Sequence, residues 1–164
     1  MKRLTIILAL LAITTMKAQS NMDLILLQDI RLAYEGHNDL SDSFTTNVRI
    51  RPTLNAKEGK FGNFYLAPEF EYADLEIQFI RYSINIGYNF NTFSDRLQLG
   101  LSVGNGIIDR EGQGFMTFNA DGFINFRVYK STYLTFSTQV MNRPDVEDKD
   151  FLLSNFLGVK FKLF

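Results

Sequence analysis

The sequence predicts an all-β protein: an eight-stranded antiparallel up-and-down transmembrane β-barrel. Three observations predict it. Eight stretches alternate apolar and polar side chains with the period of two that places them on opposite faces of a strand. The connections between these stretches alternate in length. Beyond residue 20 no apolar run is long enough for a membrane-spanning helix, so a chain placed in lipid must close a barrel to satisfy its backbone.

The pattern is clearest over residues 80–90, IRYSINIGYNF. Ile80, Tyr82, Ile84, Ile86, Tyr88 and Phe90 share one face, and Arg81, Ser83, Asn85, Gly87 and Asn89 the other. About ten such residues cross a bilayer when the strand is tilted. In chain order, the first strand is expected over about 24–35, with Leu24, Leu26, Ile30, Leu32 and Tyr34 on its apolar face. The second covers 46–55, with Val48, Ile50, Pro52 and Leu54. The third covers 61–73, with Phe64, Leu66, Pro68, Phe70 and Tyr72. The fourth is the stretch at 80–90, starting as early as 77. The fifth covers 96–104, with Leu97, Leu99, Leu101 and Val103, and the sixth 115–128, with Met116, Phe118, Ala120, Ile124, Phe126 and Val128. The seventh covers 132–141, with Leu134, Phe136 and Val140. The eighth covers 153–164, with Leu157, Val159, Phe161 and Leu163. No segment of the mature domain shows a 3.6-residue period, so no helix is expected there. Pro52 and Pro68 each lack a ladder donor and are expected at bulges or strand ends.

Counted from the first strand, the odd connections are 36–45, 74–76, 105–114 and 142–151, and the even ones 56–60, 91–95 and 129–131. Three of the four odd connections are long and every even one is short. Outer-membrane barrels have long extracellular loops, short periplasmic turns and periplasmic termini. Residues 36–43, 106–112 and 143–150 are therefore expected outside.

Residues 1–20 read as a secretory signal peptide, and 21–164 as the barrel. Lys2 and Arg3 form a positive start, 4–13 an apolar stretch, and Ala18-Gln19-Ser20 a small-residue cleavage site. No cysteine follows for a lipid anchor or a disulfide. Of 17 basic and 18 acidic residues, the signal removes three basic ones, leaving 14 against 18 and a net charge of −4. That balance carries no basic patch for nucleic acid.

Alternation alone does not say which face is inside. A soluble lipocalin-like carrier would turn the apolar face inward. Aromatic placement points the other way. Tyr34, Tyr72, Tyr82 and Phe118 fall near one rim and Phe64, Tyr88, Phe90, Phe126 and Phe161 near the other, with Leu, Ile and Val between. Such belts mark the two membrane interfaces. The polar face mixes small residues with charges of both signs, which suits the narrow interior of eight strands. Pairing the second, third and fourth strands about their turns puts Arg49 opposite Glu69 and Glu69 opposite Arg81, an inward row that Arg31, Arg51, Glu71, Asp121, Arg127 and Lys160 extend into an ion network.

With these features the mature chain resembles the small outer-membrane barrels of the OmpA/OmpX kind. The resemblance includes a C-terminal strand ending in phenylalanine, FLGVKFKLF, similar to the signal read by the barrel-assembly machinery. Phe164 departs from the usual phase, because Val159, Phe161 and Leu163 alternate and Phe164 does not. The resemblance implies a monomer in contact with outer-membrane lipids, without cofactor. Some small barrels of this kind are lipid A palmitoyltransferases or deacylases, which use a histidine with serine and an acidic residue near the outer rim. His37 is the only histidine, with Asp39, Ser41, Asp42 and Ser43 close by, and these are also ordinary loop residues. The strand-borne His-x-Ser pattern of the deacylases is absent. Asp39, Asp42, Asp109, Glu111, Asp145, Glu147, Asp148 and Asp150 make the expected outer loops acidic, without the spacing of a calcium loop, so no metal is assigned. The reading is a non-enzymatic barrel with a structural or surface-interaction role through its loops and an unidentified surface ligand. A filled eight-stranded interior argues against a general-diffusion porin.

Overall fold

The computed structural model describes residues 21–35, 45–75, 78–91, 94, 96–146 and 151–163. Eight strands close into one antiparallel barrel in sequence order: β1 (Asn21–Asp29), β2 (Asn47–Asn55), β3 (Gly62–Ala73), β4 (Phe79–Phe90), β5 (Leu97–Arg110), β6 (Gln113–Tyr129), β7 (Thr132–Asn142) and β8 (Phe151–Lys162). A one-turn helix, α1 (Ile30–Glu35), follows β1.

The register fixes the tilt of the wall. Paired residues lead from Met22 through Leu54, Leu66, Ile86, Val103, Ala120 and Val140 to Leu153. At the β1–β8 joint Asp23 faces Lys162, and Leu163 N donates to Met22 O at 2.8 Å, so Leu163 is level with Met22. One circuit has climbed from 163 to 153, ten residues. Eight strands with that stagger tilt by roughly 40° from the barrel axis.

The polarity of the wall is inverted relative to a water-soluble barrel. Ile84, Ile86 and Val103 are 61%, 59% and 64% exposed on the outer surface, whereas Arg49 and Arg81 are 0% exposed inside. A lipocalin-like carrier would need the reverse. The interior is narrow enough that two large rings lie over glycines. The Tyr65 ring covers Gly87 and the Phe123 ring covers Gly100, each in the space that a Cβ would fill.

Four local expectations are corrected. The first strand ends at Asp29 rather than running to 35, and a helical turn replaces its outer half. Asp29 Oδ1 accepts from the backbone N of Arg31 (2.8 Å) and of Leu32 (3.2 Å), a helix N-cap. Ile30, Leu32 and Tyr34 alternate as a strand would, but the cap wins. Leu32 then turns into the barrel mouth and packs with Ala73, Phe79, Ile108 and Met141.

The expected loop at 105–114 is mostly strand. Asn105 pairs with Ile84 and Phe118, Gly106 pairs with Ser83 and Thr117, and the ladder continues to Arg110↔Gln113. The turn is Glu111-Gly112, with φ of 52° and 82°. Both being positive matches the mirror-image turn favoured by the twist of two-residue hairpins. Asn105-Gly106 looks like a turn signal, yet it preserves the alternation, Asn outward and Gly inward.

The two prolines lie within strands rather than at their ends. The β2–β3 register runs to Ile50↔Phe70 and resumes at Leu54↔Leu66, so Pro52 and Pro68 face each other in the break between. Opposed residues in alternate antiparallel pairs exchange two N–H···O bonds. Neither proline has an N–H, and both bonds of this pair are missing.

The expected row is also displaced. Arg49 pairs with Glu71, Glu71 with Arg81, and Glu69 with Ser83, a shift of two residues along β3. Residues 36–44, 147–150 and Phe164 lie outside the described residues, and with them His37, Asp39, Ser41, Asp42, Ser43, Glu147, Asp148 and Asp150.

Candidate functional site

The inward faces of β2, β3, β4 and β6 bring six charged groups together. β2 supplies Arg49 and Arg51, β3 Glu69 and Glu71, β4 Arg81 and β6 Asp121, all buried. Glu69 is the shared partner. Its Oε2 lies 2.8 Å from Arg49 Nη2 and 2.5 Å from Arg51 Nε, and its Oε1 lies 2.8 Å from Arg81 Nη1. Despite the displaced register, the side chain reaches all three arginines because they surround it on two neighbouring strands. Arg81 Nη1 also lies 3.4 Å from Glu71 Oε2.

Asp121 closes the cluster from the far wall. Its Oδ1 is 2.7 Å from Arg49 Nη2 and its Oδ2 is 3.1 Å from Arg51 Nη2. β6 stands four strands from β2 in a ring of eight, so these pairs cross the lumen. Asn119 ties the two halves. Its Oδ1 accepts from Arg81 Nη2, and its Nδ2 donates to Asp121 Oδ2 (2.8 Å) and Asn85 Oδ1 (2.8 Å). Arg49 also stacks its guanidinium 4.6 Å over the Phe156 ring. Three guanidinium groups and three carboxylates balance in charge. Each carboxylate already accepts from cations or amides, so the cluster offers rigid cross-bracing rather than a free base or nucleophile.

Lys160 belongs to a second group nearer the chain ends. Its Nζ lies 2.8 Å from Asp23 Oδ2 and donates to Gln98 Oε1 at 2.7 Å. Arg127 lies beside that group, its guanidinium 6.0 Å over the Tyr133 ring. Arg31 is in neither group. It sits exposed on α1, because the cap at Asp29 takes it out of the strand's inward phase.

At the opposite mouth Leu32, Ala73, Phe79, Ile108 and Met141 pack into an apolar cluster. Above it Arg143 grips Asp145 through two 2.7 Å bonds, and Arg110 Nε adds a third at 2.7 Å. Both guanidinium groups lie over the Phe79 ring. Burial alone would raise the Asp145 carboxyl. The Arg143 hydrogen bonds and the charges of Arg143 and Arg110 outweigh it and hold the carboxyl below the ordinary carboxylate range.

Of the expected belt aromatics, Phe64, Tyr88 and Phe90 form an edge-to-face chain at the rim nearer the chain ends, with centroids 4.9 and 5.1 Å apart. Phe126 and Phe161 point outward at the same end. Tyr72, Tyr82 and Phe118 point outward at the other end. Tyr34 does not join them. It is on α1, 83% exposed and off the strand wall.

Asn85, Asn119, Asp23 and the Arg110–Asp145–Arg143 clasp were not singled out from sequence. Asn85, Asn119 and Asp23 occupy inward phases of their strands, which was the available signal. The clasp depends on β5 reaching Arg110, which the apparent turn at Asn105-Gly106 concealed.

No protein-family model matches this chain, and no curated protein matches it by sequence. Its fold is found among solved structures. The outer membrane protein Ail of Yersinia pestis, determined in a phospholipid bilayer nanodisc, superposes with a TM-score of 0.57 at 9% identity, over 87% of this chain and 99% of that one. A de novo designed transmembrane β-barrel superposes with a TM-score of 0.55 at 9% identity, over 88% of this chain and 95% of that one. The fold is that of the small eight-stranded outer-membrane barrels of the OmpA/OmpX kind.

Proposed function

We propose that this chain is a small non-enzymatic outer-membrane β-barrel with a side-chain-filled interior, acting structurally or as a surface-interaction protein through the segments at its outer end. Its first 20 residues are the export signal. Its termini face the periplasm, its C-terminal strand engages the barrel-assembly machinery, and its apolar wall meets outer-membrane lipids. The single observation that carries this reading is the inverted wall: exposed Ile84, Ile86 and Val103 around fully buried Arg49 and Arg81. In water such a wall would leave a continuous apolar surface exposed, whereas in lipid it is the stable arrangement. The apolar layer at Leu32, Phe79 and Met141 and the ion cluster beneath it support a sealed barrel rather than a pore.

Fractionation tests the reading. The protein should sediment with the outer membrane and change gel mobility between unheated and boiled samples, because a closed ladder has no edge to unravel. Recovery as a soluble periplasmic monomer would overturn it. For orientation, an impermeant thiol reagent on intact cells should label Glu111→Cys and spare Glu58→Cys. The opposite result would place the termini outside.

A further inference from the structure

The apolar wall is not uniform. On β8 the outward run is Phe151, Leu153, Asn155, Leu157, Val159 and Phe161, with a single amide in its middle. Opposite it on β7, Thr138 donates its hydroxyl to Asn155 Oδ1 at 2.9 Å. On the other side of Thr138, across the β6–β7 pair, stands Gly122, which floors an apolar depression walled by Leu99, Leu101, Ile124 and Phe136. Asn155 is exposed, and among the described residues its Nδ2 has no acceptor. In hydrocarbon an unmet amide donor is costly, and a lipid tail offers it nothing.

We propose that the Thr138–Asn155 face is the contact surface of a homodimer, its occupant a second copy of this chain. The inference rests on the membrane reading above. Copies inserted by one route share one orientation, so a twofold axis relating them runs along the membrane normal. Such an axis sets each residue against the same depth of its mate, and an isologous patch must be self-complementary. An amide beside a hydroxyl meets that condition, since it both donates and accepts. Each Asn155 NH₂ finds an oxygen in the Thr138–Asn155 pair opposite. Gly122 keeps the adjoining surface low, so the two convex walls can approach closely, as small residues allow between membrane segments. The monomer expected from sequence becomes one side of an equilibrium.

Insertion into phospholipid vesicles is verified first by the gel-mobility shift, so failed insertion is read separately from failed association. Protein carrying donor or acceptor dye at Lys130→Cys, in a turn remote from the patch, should then show energy transfer that rises with the protein-to-lipid ratio. Asn155→Leu should insert equally well and require at least tenfold more protein per lipid for the same transfer. Thr138→Val should shift it in the same direction, and Ile86→Leu on β4 should not. Transfer no greater than random collision for the unsubstituted barrel would overturn the proposal, as would transfer unchanged in Asn155→Leu. Loss with Ile86→Leu equal to that with Asn155→Leu would overturn it too, because association would then not depend on this face.

Discussion

The β5–β6 hairpin and the β2–β3 pair do the same job by different means. β5 and β6 match in fourteen consecutive pairs, from Leu97↔Phe126 to Arg110↔Gln113, joined by a two-residue turn. Their inward face is thinned by Gly100, Gly104 and Gly106. β2 and β3 lose two backbone bonds where Pro52 meets Pro68. At that level Arg51 adjoins Pro52 and Glu69 adjoins Pro68, and their side chains meet at 2.5 Å inside the barrel. Arg49 joins the same carboxylate. One seam is held by its backbone; in the other, ion pairs cross where the backbone bonding lapses.

Removing Glu69 should therefore damage the barrel more than changing the turn or the packing of the β5–β6 hairpin at Glu111 or Gly100. Glu69→Ala leaves three buried guanidinium groups, Arg49, Arg51 and Arg81, with only Asp121 and Glu71 between them, a loss of about 3–5 kcal/mol. Equilibrium unfolding in lipid vesicles measures it, with Glu111→Ala at the hairpin tip as the reference. Equal small effects would mean that the cluster does not hold the seam.

Gly100→Ala attacks the hairpin where it is most closely packed. The added Cβ falls in the Phe123 ring, and overpacking of this kind costs about 1–3 kcal/mol. A wild-type unfolding midpoint for this variant would show that Phe123 moves aside freely.

Pro68→Val supplies the seam with a missing donor. A backbone bond contributes about 1 kcal/mol, offset in part by the freedom valine restores to the unfolded chain. The sharper readout is local: amide exchange around residues 51–53 and 67–69 should slow. Unchanged exchange there would place the weakness of the seam elsewhere. In the Pro68→Val background, Glu69→Ala should also cost less than it does alone.

The smallest effect is expected at the turn. Glu111 holds φ at 52°, a conformation asparagine adopts more readily. Glu111→Asn should stabilise the barrel by a few tenths of a kcal/mol, on the order expected for a relaxed turn, seen as a slightly higher unfolding midpoint. A lower midpoint would mean that the Glu111 side chain contributes a contact that outweighs its backbone strain.

Most of the wall was legible in the sequence, because a half-buried strand must alternate and seven of the eight strands do so along their length. What alternation cannot fix is how far one strand slides past the next. A slide of two residues leaves every side chain on its own face, so Glu69 opposite Arg81 and Glu69 opposite Ser83 are equally good patterns. For the same reason inward phase shows which charged side chains share the lumen but not which of them meet: Arg31 leaves the wall on the helical turn, and Lys160 joins Asp23 instead of the Glu69 cluster. Ile30, Leu32 and Tyr34 satisfy both a strand and a single helical turn. Only the Asp29 side chain, bonded to two following amides, separates the two. Asn105-Gly106 shows the converse: favourable turn chemistry carries little weight inside a ladder whose neighbours continue on both sides.

The bond between Arg49 and Asp121 has a consequence for how the chain is assembled. Its partners belong to β2 and β6, and Glu69 draws on β2 and β4. The β2–β3 hairpin carries two arginines and two carboxylates, but Arg81 arrives with β4, and Asp121, the partner of Arg49 and Arg51 across the lumen, only with β6. A sheet that entered lipid flat, one hairpin at a time, would carry these charges into hydrocarbon with the cluster incomplete, Asp121 still several strands away from Arg49 and Arg51. The route that avoids this curls the sheet while its inner face is still wet and brings opposite walls together before water leaves. The cluster that braces the finished barrel thus also selects, among folding routes, those in which closure comes early.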